Sequence, residues 1–171
     1  MERSIFFLRF PNAYIQFLIH FHGDRDYFEC HEILEDYWKD TEPGNRNSIW
    51  VGFIQLAVAQ YHYRRGNDIG AKKLLLKSMN ILKQRKIELT KLGIDIDPFF
   101  VLLESLYTSY INGSAYKNIN LPICDQYLLS ICKKECVQSG LEWCSDDDHI
   151  SNFIVHRHLY KDRADVETRR K

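Results

Sequence analysis

The sequence lacks a net charge, an uninterrupted apolar run, a paired-cysteine motif and any long stretch of period-two alternation, and each lack narrows the field. Lysine and arginine number 23, and so do aspartate and glutamate. The chain as a whole is therefore not drawn toward nucleic acid or anionic lipid, and neither a nucleic-acid nor a membrane partner is expected. The apolar stretch from Ile5 to Phe21 is interrupted by Arg9, Pro11, Asn12 and Gln16, which leaves neither a signal-peptide core nor a bilayer span. The five cysteines are odd in number and contain no C-x-x-C pair. A disulfide framework is the poorer reading and a reducing compartment, the cytoplasm, the better one. No convincing run alternates long enough to demand a sheet, and no fixed-period repeat points to a solenoid.

What is present is helical pattern. With 45% hydrophobic and 27% charged residues over 171 positions, the chain reads as one helical domain, 1–171, able to hide roughly 70% of its unfolded surface. Pro11 and Asn12 open a first helix that Gly23 closes through a left-handed backbone. A second starts near Asp24 and carries Tyr27, Cys30, Leu34, Tyr37 and Trp38 at helical spacing. A third, from about Asn47 to Arg65, is apolar around most of its girth. A fourth runs to about Leu92, with Gly70 and Ala71 offering small side chains for a close helix approach. A fifth spans Asp97 to Asn112 with Asp97 as N-cap and Pro98 at its first position. Pro122 leads into another through Val137, and Asp148 to Arg169 reads as a charged terminal helix. The expected fold class is all-α: a single-domain bundle of about six to seven helices with short antiparallel connections, the second, third and fourth at its heart.

One polar constellation sits oddly on this pattern. At the helical period, His31 and Glu35 fall within the apolar arc bounded by Phe28 and Trp38, with Glu32 at its edge. On the third helix Gln55 and His62 lie nearly in line along an otherwise apolar element. A histidine and a carboxylate one turn apart, completed by a histidine from a neighbouring helix, make a two-histidine, one-carboxylate metal set of His31, Glu35 and His62. Without metal, His31, Glu32 and Glu35 are candidates for acid–base catalysis, since burial near Trp38 would raise a carboxylate pKa toward neutrality. The blander account is a core network in which His31 and Gln55 satisfy one another and Glu35 pairs with a base. The spacing H-E-x-x-E lacks the second histidine of the metalloprotease helix.

Three blocks carry a family resemblance: F-E-C-H-E-I-L-E-D-Y-W from Phe28 to Trp38, G-F-I-Q-L-A-V-A-Q-Y-H-Y from Gly52 to Tyr63, and R-R-G-N-D-I-G-A-K-K-L-L from Arg64 to Leu75. In this order they resemble the bacterial DUF309 family, over a motif-bearing core of about 21–92. The C-terminal helices, 97–171, lie outside these blocks, although the tail H-L-Y-K-D-R-A-D-V-E-T-R-R also resembles longer members. The resemblance implies an all-helical fold with signature positions at His31, Glu32, Glu35, Trp38, Gln55, His62, Gly70 and Ala71, and no established activity.

Lesser signals remain. Cys124, Cys132, Cys136 and Cys144 with His149 could be arranged around zinc, though buried helical cysteine is the commoner use. The Lys72, Lys73, Lys77, Lys83, Arg85 and Lys86 stripe has no aromatic platform for nucleic acid. His156 and His158 point to different faces, and Arg157 to Arg170 reads as solvated or partner-facing. The leading expectation is a non-catalytic interaction or scaffold domain, with an unknown protein partner or a second copy of itself, whose buried histidine–glutamate network fixes two helices. No cofactor is expected on that reading. The rival is a metal-dependent or acid–base enzyme, with hydrolysis as its candidate chemistry, its site between the second and third helices and a divalent metal as cofactor.

Overall fold

Local signals begin and end the helices seen in the computed structural model, which describes residues 9–146 and 150–160. In chain order they are α1 (Asn12–His22), α2 (Tyr27–Thr41), α3 (Ile49–Arg64), α4 (Asp68–Lys83), α5 (Lys86–Lys91), α6 (Ile96–Ile111), α7 (Gln126–Gln138) and α8 (Asn152–Val155). Asp26, Ser48, Asn67 and Asp125 each accept a backbone N–H of the first turn that follows, at Glu29, Trp50, Gly70 and Leu128. The fold is all-α. Among the described residues the one extended pairing is an isolated antiparallel bridge between Ile94 and Ile123.

α3 packs between α2 and α4, as the apolar girth of its sequence requires, and α1 lies against α2 and α7. The core runs from Phe10 through to Cys136, with Phe17, Leu34, Phe53, Leu56, Leu75 and Phe99 all inaccessible to solvent. Gly52 makes the close approach of α3 to α4: a Cβ there would stand 2.7 Å from Leu82 Cδ2. Gly70 does not, because a Cβ on it would meet the capping side chain of Asn67 instead.

Several expected boundaries move, each for a visible reason. The fourth helix does not continue to Leu92. The apolar face Ala71, Leu75, Met79 and Leu82 next arrives at Arg85 and Lys86, and Arg85 turns back to donate to the Asn47 carbonyl at 2.7 and 3.0 Å. α6 begins after Asp95 rather than Asp97, because the Asp95 N–H is held by the Pro122 carbonyl at 2.9 Å; Pro98 then falls in the first turn, where its missing donor is harmless. The same pairing delays α7 to Gln126. Gly23 has φ −88°, so it is not left-handed; it is required because a Cβ would lie 2.6 Å from the Ile19 carbonyl oxygen and 3.1 Å from Leu141. The terminal helix is broken at His156, with residues 157–160 helical again; Asp148, His149 and the residues beyond 160 fall outside those described. The connection 112–125 is long rather than short, and it reaches back into the core.

Candidate functional site

α2 is packed inward through Tyr27, Cys30 and Leu34, which leaves the flank one position further round at a seam rather than in the core. His31, Glu32 and Glu35 stand on that flank with side chains 28, 31 and 32% exposed. His31 Nε2 lies 3.1 Å from Glu35 Oε2, and Nδ1 lies 3.5 Å from Glu32 Oε1. The other oxygen of Glu35 meets Lys39 at 3.0 Å. One donor atom from each of His31, Glu32 and Glu35 falls within 4.8 Å of the others, so the three could share a cation. They could also relay a proton between imidazole and carboxylate. The expected inward-pointing network is therefore a half-exposed one, made within a single helix.

His62 is not part of that donor group, yet it is near. His31 and His62 line one cavity of about 190 Å³ between α2 and α3, together with Tyr27, Phe28, Val58, Tyr61, Arg65 and His158. Asn67 donates to His62 Nδ1 at 3.2 Å, and burial, Arg65 and His158 together lower the His62 pKa. Gln55 does not satisfy His31: its Oε1 is buried without a hydrogen-bond partner. Trp38 donates its indole N–H to the Asn45 carbonyl at 2.9 Å and so closes the α2–α3 turn.

Arg157 and His158, within the described part of the segment expected to be solvated or partner-facing, dock at this seam. Arg157 pairs with Asp26 and, at 2.8 Å, with Glu29, and it lies 5.8 Å from the centre of the Phe28 ring. Burial pushes the Asp26 carboxyl pKa up even with Arg157 beside it, while the Arg157 pKa rises although burial opposes it, because Asp26 and Glu29 hold its charge. The desolvation cost on Asp26 thus offsets much of the pair's attraction. His158 Nδ1 is hydrogen-bonded to the Tyr61 hydroxyl at 2.6 Å, and the His158 backbone N–H donates to the same oxygen at 3.1 Å.

The deeply buried polar network lies elsewhere, among residues the sequence pattern did not single out. Arg25, 1% exposed and at φ 56°, donates to the carbonyls of Phe21, Ile119 and Ser145 and to Asn120 Oδ1 at 2.8–3.1 Å. His22 is fully enclosed. Its Nδ1–H donates to the Leu18 carbonyl at 2.8 Å and its Nε2 accepts the Leu121 N–H at 2.9 Å. Gln60 accepts the Tyr110 hydroxyl, and Tyr27 meets Tyr116 at 2.6 Å. Arg64 lies 4.7 Å above the Tyr27 ring. Cys132 and Cys136 are core thiols whose pKa values burial pushes up to about 12 and about 11. Among the described residues no cysteine joins a group of metal donors. No helix of the described residues is long and apolar enough to cross a membrane.

Comparison with known proteins agrees with this outline. Residues 14–74 match the family model "Domain of unknown function (DUF309)". The chain is 45% identical over 157 residues to "Uncharacterized protein YpuF" of Bacillus subtilis (strain 168), which covers 92% of this chain and 90% of that protein. No solved structure matches.

Proposed function

The chain belongs to the DUF309 family, and we propose that it is a cytoplasmic helical binding domain that takes a divalent cation on His31, Glu32 and Glu35 of α2. The observation that carries this is the convergence of three donors within 4.8 Å on a half-exposed helix flank. One imidazole nitrogen and two carboxylate oxygens suit Zn²⁺ or Mn²⁺, and the solvent side leaves coordination positions open for water or substrate. The buried chain has its own polar network around Arg25, His22 and Gln60, so the three residues are not needed to hold helices together. Ion pairs within one helix contribute only about 0.3–0.5 kcal/mol. A cation would displace the existing His31–Glu35 contact, and Lys39 would remain beside Glu35.

The test is calorimetric titration of chelator-treated protein with Zn²⁺ and Mn²⁺, alongside His31→Ala and Glu35→Gln. One saturable site is expected in the wild type and none in either variant, with the melting temperatures of all three alike in chelator. Wild-type protein that binds neither ion up to millimolar concentration, or variants that bind as well as wild type, would overturn the reading. A second reading, a non-catalytic interaction domain, is favoured by the exposed Phe153, Leu159 and Tyr160, which are 52, 49 and 43% accessible. It requires concentration-dependent association of metal-free protein in sedimentation equilibrium.

A further inference from the structure

We propose that the cavity between α2 and α3 receives the apolar body, about one ring in size, of a small ligand whose oxygen-donor head meets the cation at His31. The head group rests on the cation reading above, whereas the body rests on the cavity alone. His31 joins the two, because it is one of the three donors on α2 and its ring also forms part of the cavity wall.

By residue type the wall is polar, with three histidines, two tyrosines and Arg65 among its members. Hydrogen bonds turn the polar atoms elsewhere. Both nitrogens of His31 face carboxylates of its own helix, Glu35 at 3.1 Å and Glu32 at 3.5 Å. The Tyr27 hydroxyl meets that of Tyr116 at 2.6 Å. The Tyr61 oxygen is engaged twice by His158, through Nδ1 at 2.6 Å and the backbone N–H at 3.1 Å. His62 Nδ1 accepts from the Asn67 amide at 3.2 Å, and the Arg65 guanidinium lies 5.1 Å above the face of the Tyr61 ring. The surface that the described residues present to the cavity is therefore almost entirely carbon. Its aromatic side is continuous: the Phe28 ring stands edge-on to His31 at 5.9 Å and lies 6.0 Å from the ring of Tyr61.

The volume, about 190 Å³, sets the size of the occupant. An apolar cavity of about 150 Å³ stays dry and takes up benzene, since water needs two to four polar partners that such a wall does not offer. One aromatic ring, or a branched aliphatic group of similar bulk, fits the space and gains from leaving water. A charged group does not, because it would give up hydration for carbon. The polar end of the ligand is then placed by His31. A divalent cation on His31, Glu32 and Glu35 is balanced in charge by the two carboxylates, so its open positions suit a neutral or singly charged oxygen chelator. The ligand class that satisfies both ends is a small chelating oxygen head carrying one apolar ring.

Two hydroxamates that share a head and differ in the body test this, together with toluene, which has the body and no head. In chelator-treated protein, toluene should shift the imidazole carbon–proton NMR signals of His31 and His62 saturably. In Zn²⁺-loaded protein, benzohydroxamate should bind about ten- to hundredfold more tightly than acetohydroxamate by calorimetry, the gain expected from burying one ring. Val58→Trp, which places a bulky side chain at the cavity wall, should abolish the toluene shifts and the preference for benzohydroxamate while leaving Zn²⁺ and acetohydroxamate binding unchanged. Toluene that shifts neither histidine, or wild-type protein that binds the two hydroxamates equally, would overturn the proposal whatever the variant does. Protein that takes up no Zn²⁺ would overturn the cation reading and with it the head group assigned here, and the toluene titration would then decide the cavity by itself.

Discussion

Acid should destabilise this protein through His22. The ring is inaccessible to solvent, donates from Nδ1 to the Leu18 carbonyl and accepts the Leu121 N–H at Nε2, so both nitrogens are spent in the neutral form. Burial, reinforced by the nearby charge of Arg25 and only partly opposed by the Leu18 hydrogen bond, lowers its pKa from 6.5 to about 3. The unfolded chain therefore takes up a proton between about pH 6.5 and pH 3 that the folded chain refuses, and stability falls as pH falls through that window. At pH 5 the difference is about 2 kcal/mol, and it levels off at about 5 kcal/mol below pH 3, where the folded ring also takes up its proton. His20 works the other way. Burial disfavours its charge, but the Asp24 carboxylate outweighs that and raises its pKa, so its contribution is present in acid and lost as pH rises. The comparison that isolates His22 is therefore wild type against His22→Gln, by urea unfolding at pH 7.5 and pH 5.0. The wild type should lose about 2 kcal/mol more than the variant over this interval. Equal losses would show that His22 is not held neutral by its surroundings.

Two core positions give further tests. Gly52→Ala should cost about 1–3 kcal/mol as overpacking, because the new Cβ would sit 2.7 and 2.9 Å from Cδ2 and Cγ of fully buried Leu82; an unchanged melting temperature would mean that α4 can retreat freely. Tyr110→Phe orphans Gln60 Oε1 in the core and should cost about 1–3 kcal/mol by thermal unfolding. Adding Gln60→Leu should recover part of that loss, since both halves of the pair are then apolar.

Much of the helical layout is legible locally. Ser48 and Asn67 cap helix starts by chemistry that depends only on neighbours in the chain, whereas the end of α4, expected at about Leu92, comes early at Lys83, where Arg85 and Lys86 land on its apolar face. The depth of the candidate site is not legible in the same way. Helical periodicity places His31 among apolar neighbours, but whether that flank is buried depends on where α3 crosses α2, and the crossing leaves it at the seam. Arg25 is the opposite case. It stands in an acidic stretch at a helix junction, where a solvated base is the ordinary reading, and its acceptors come from Ile119, Asn120 and Ser145. Contacts of that sequence separation have no periodic signature. His158 was hidden for the same reason, since only the path of the chain brings it to Tyr61.

Those long-range partners bear on what the family region can do by itself. The matched stretch, 14–74, holds Tyr14, His22, Arg25, Tyr27 and Gln60, and each is completed from outside it. Tyr14 donates to the Leu92 carbonyl at 2.9 Å, His22 accepts from Leu121, Arg25 donates to Ile119, Asn120 and Ser145, Tyr27 meets Tyr116, and Gln60 accepts from Tyr110. Leaving a buried polar group unpaired costs about 1–3 kcal/mol, more for a guanidinium, so the four losses whose partners lie beyond residue 92 amount to on the order of 5–10 kcal/mol. That is comparable with the entire stability of an ordinary domain, about 5–15 kcal/mol. The segment 93–145 is thus expected to fold together with the matched stretch. A fragment ending at residue 92 should show no cooperative thermal transition by far-ultraviolet circular dichroism at pH 7.5. A sharp transition near that of the whole chain would mean that the buried network around Arg25 is not what makes the two halves interdependent.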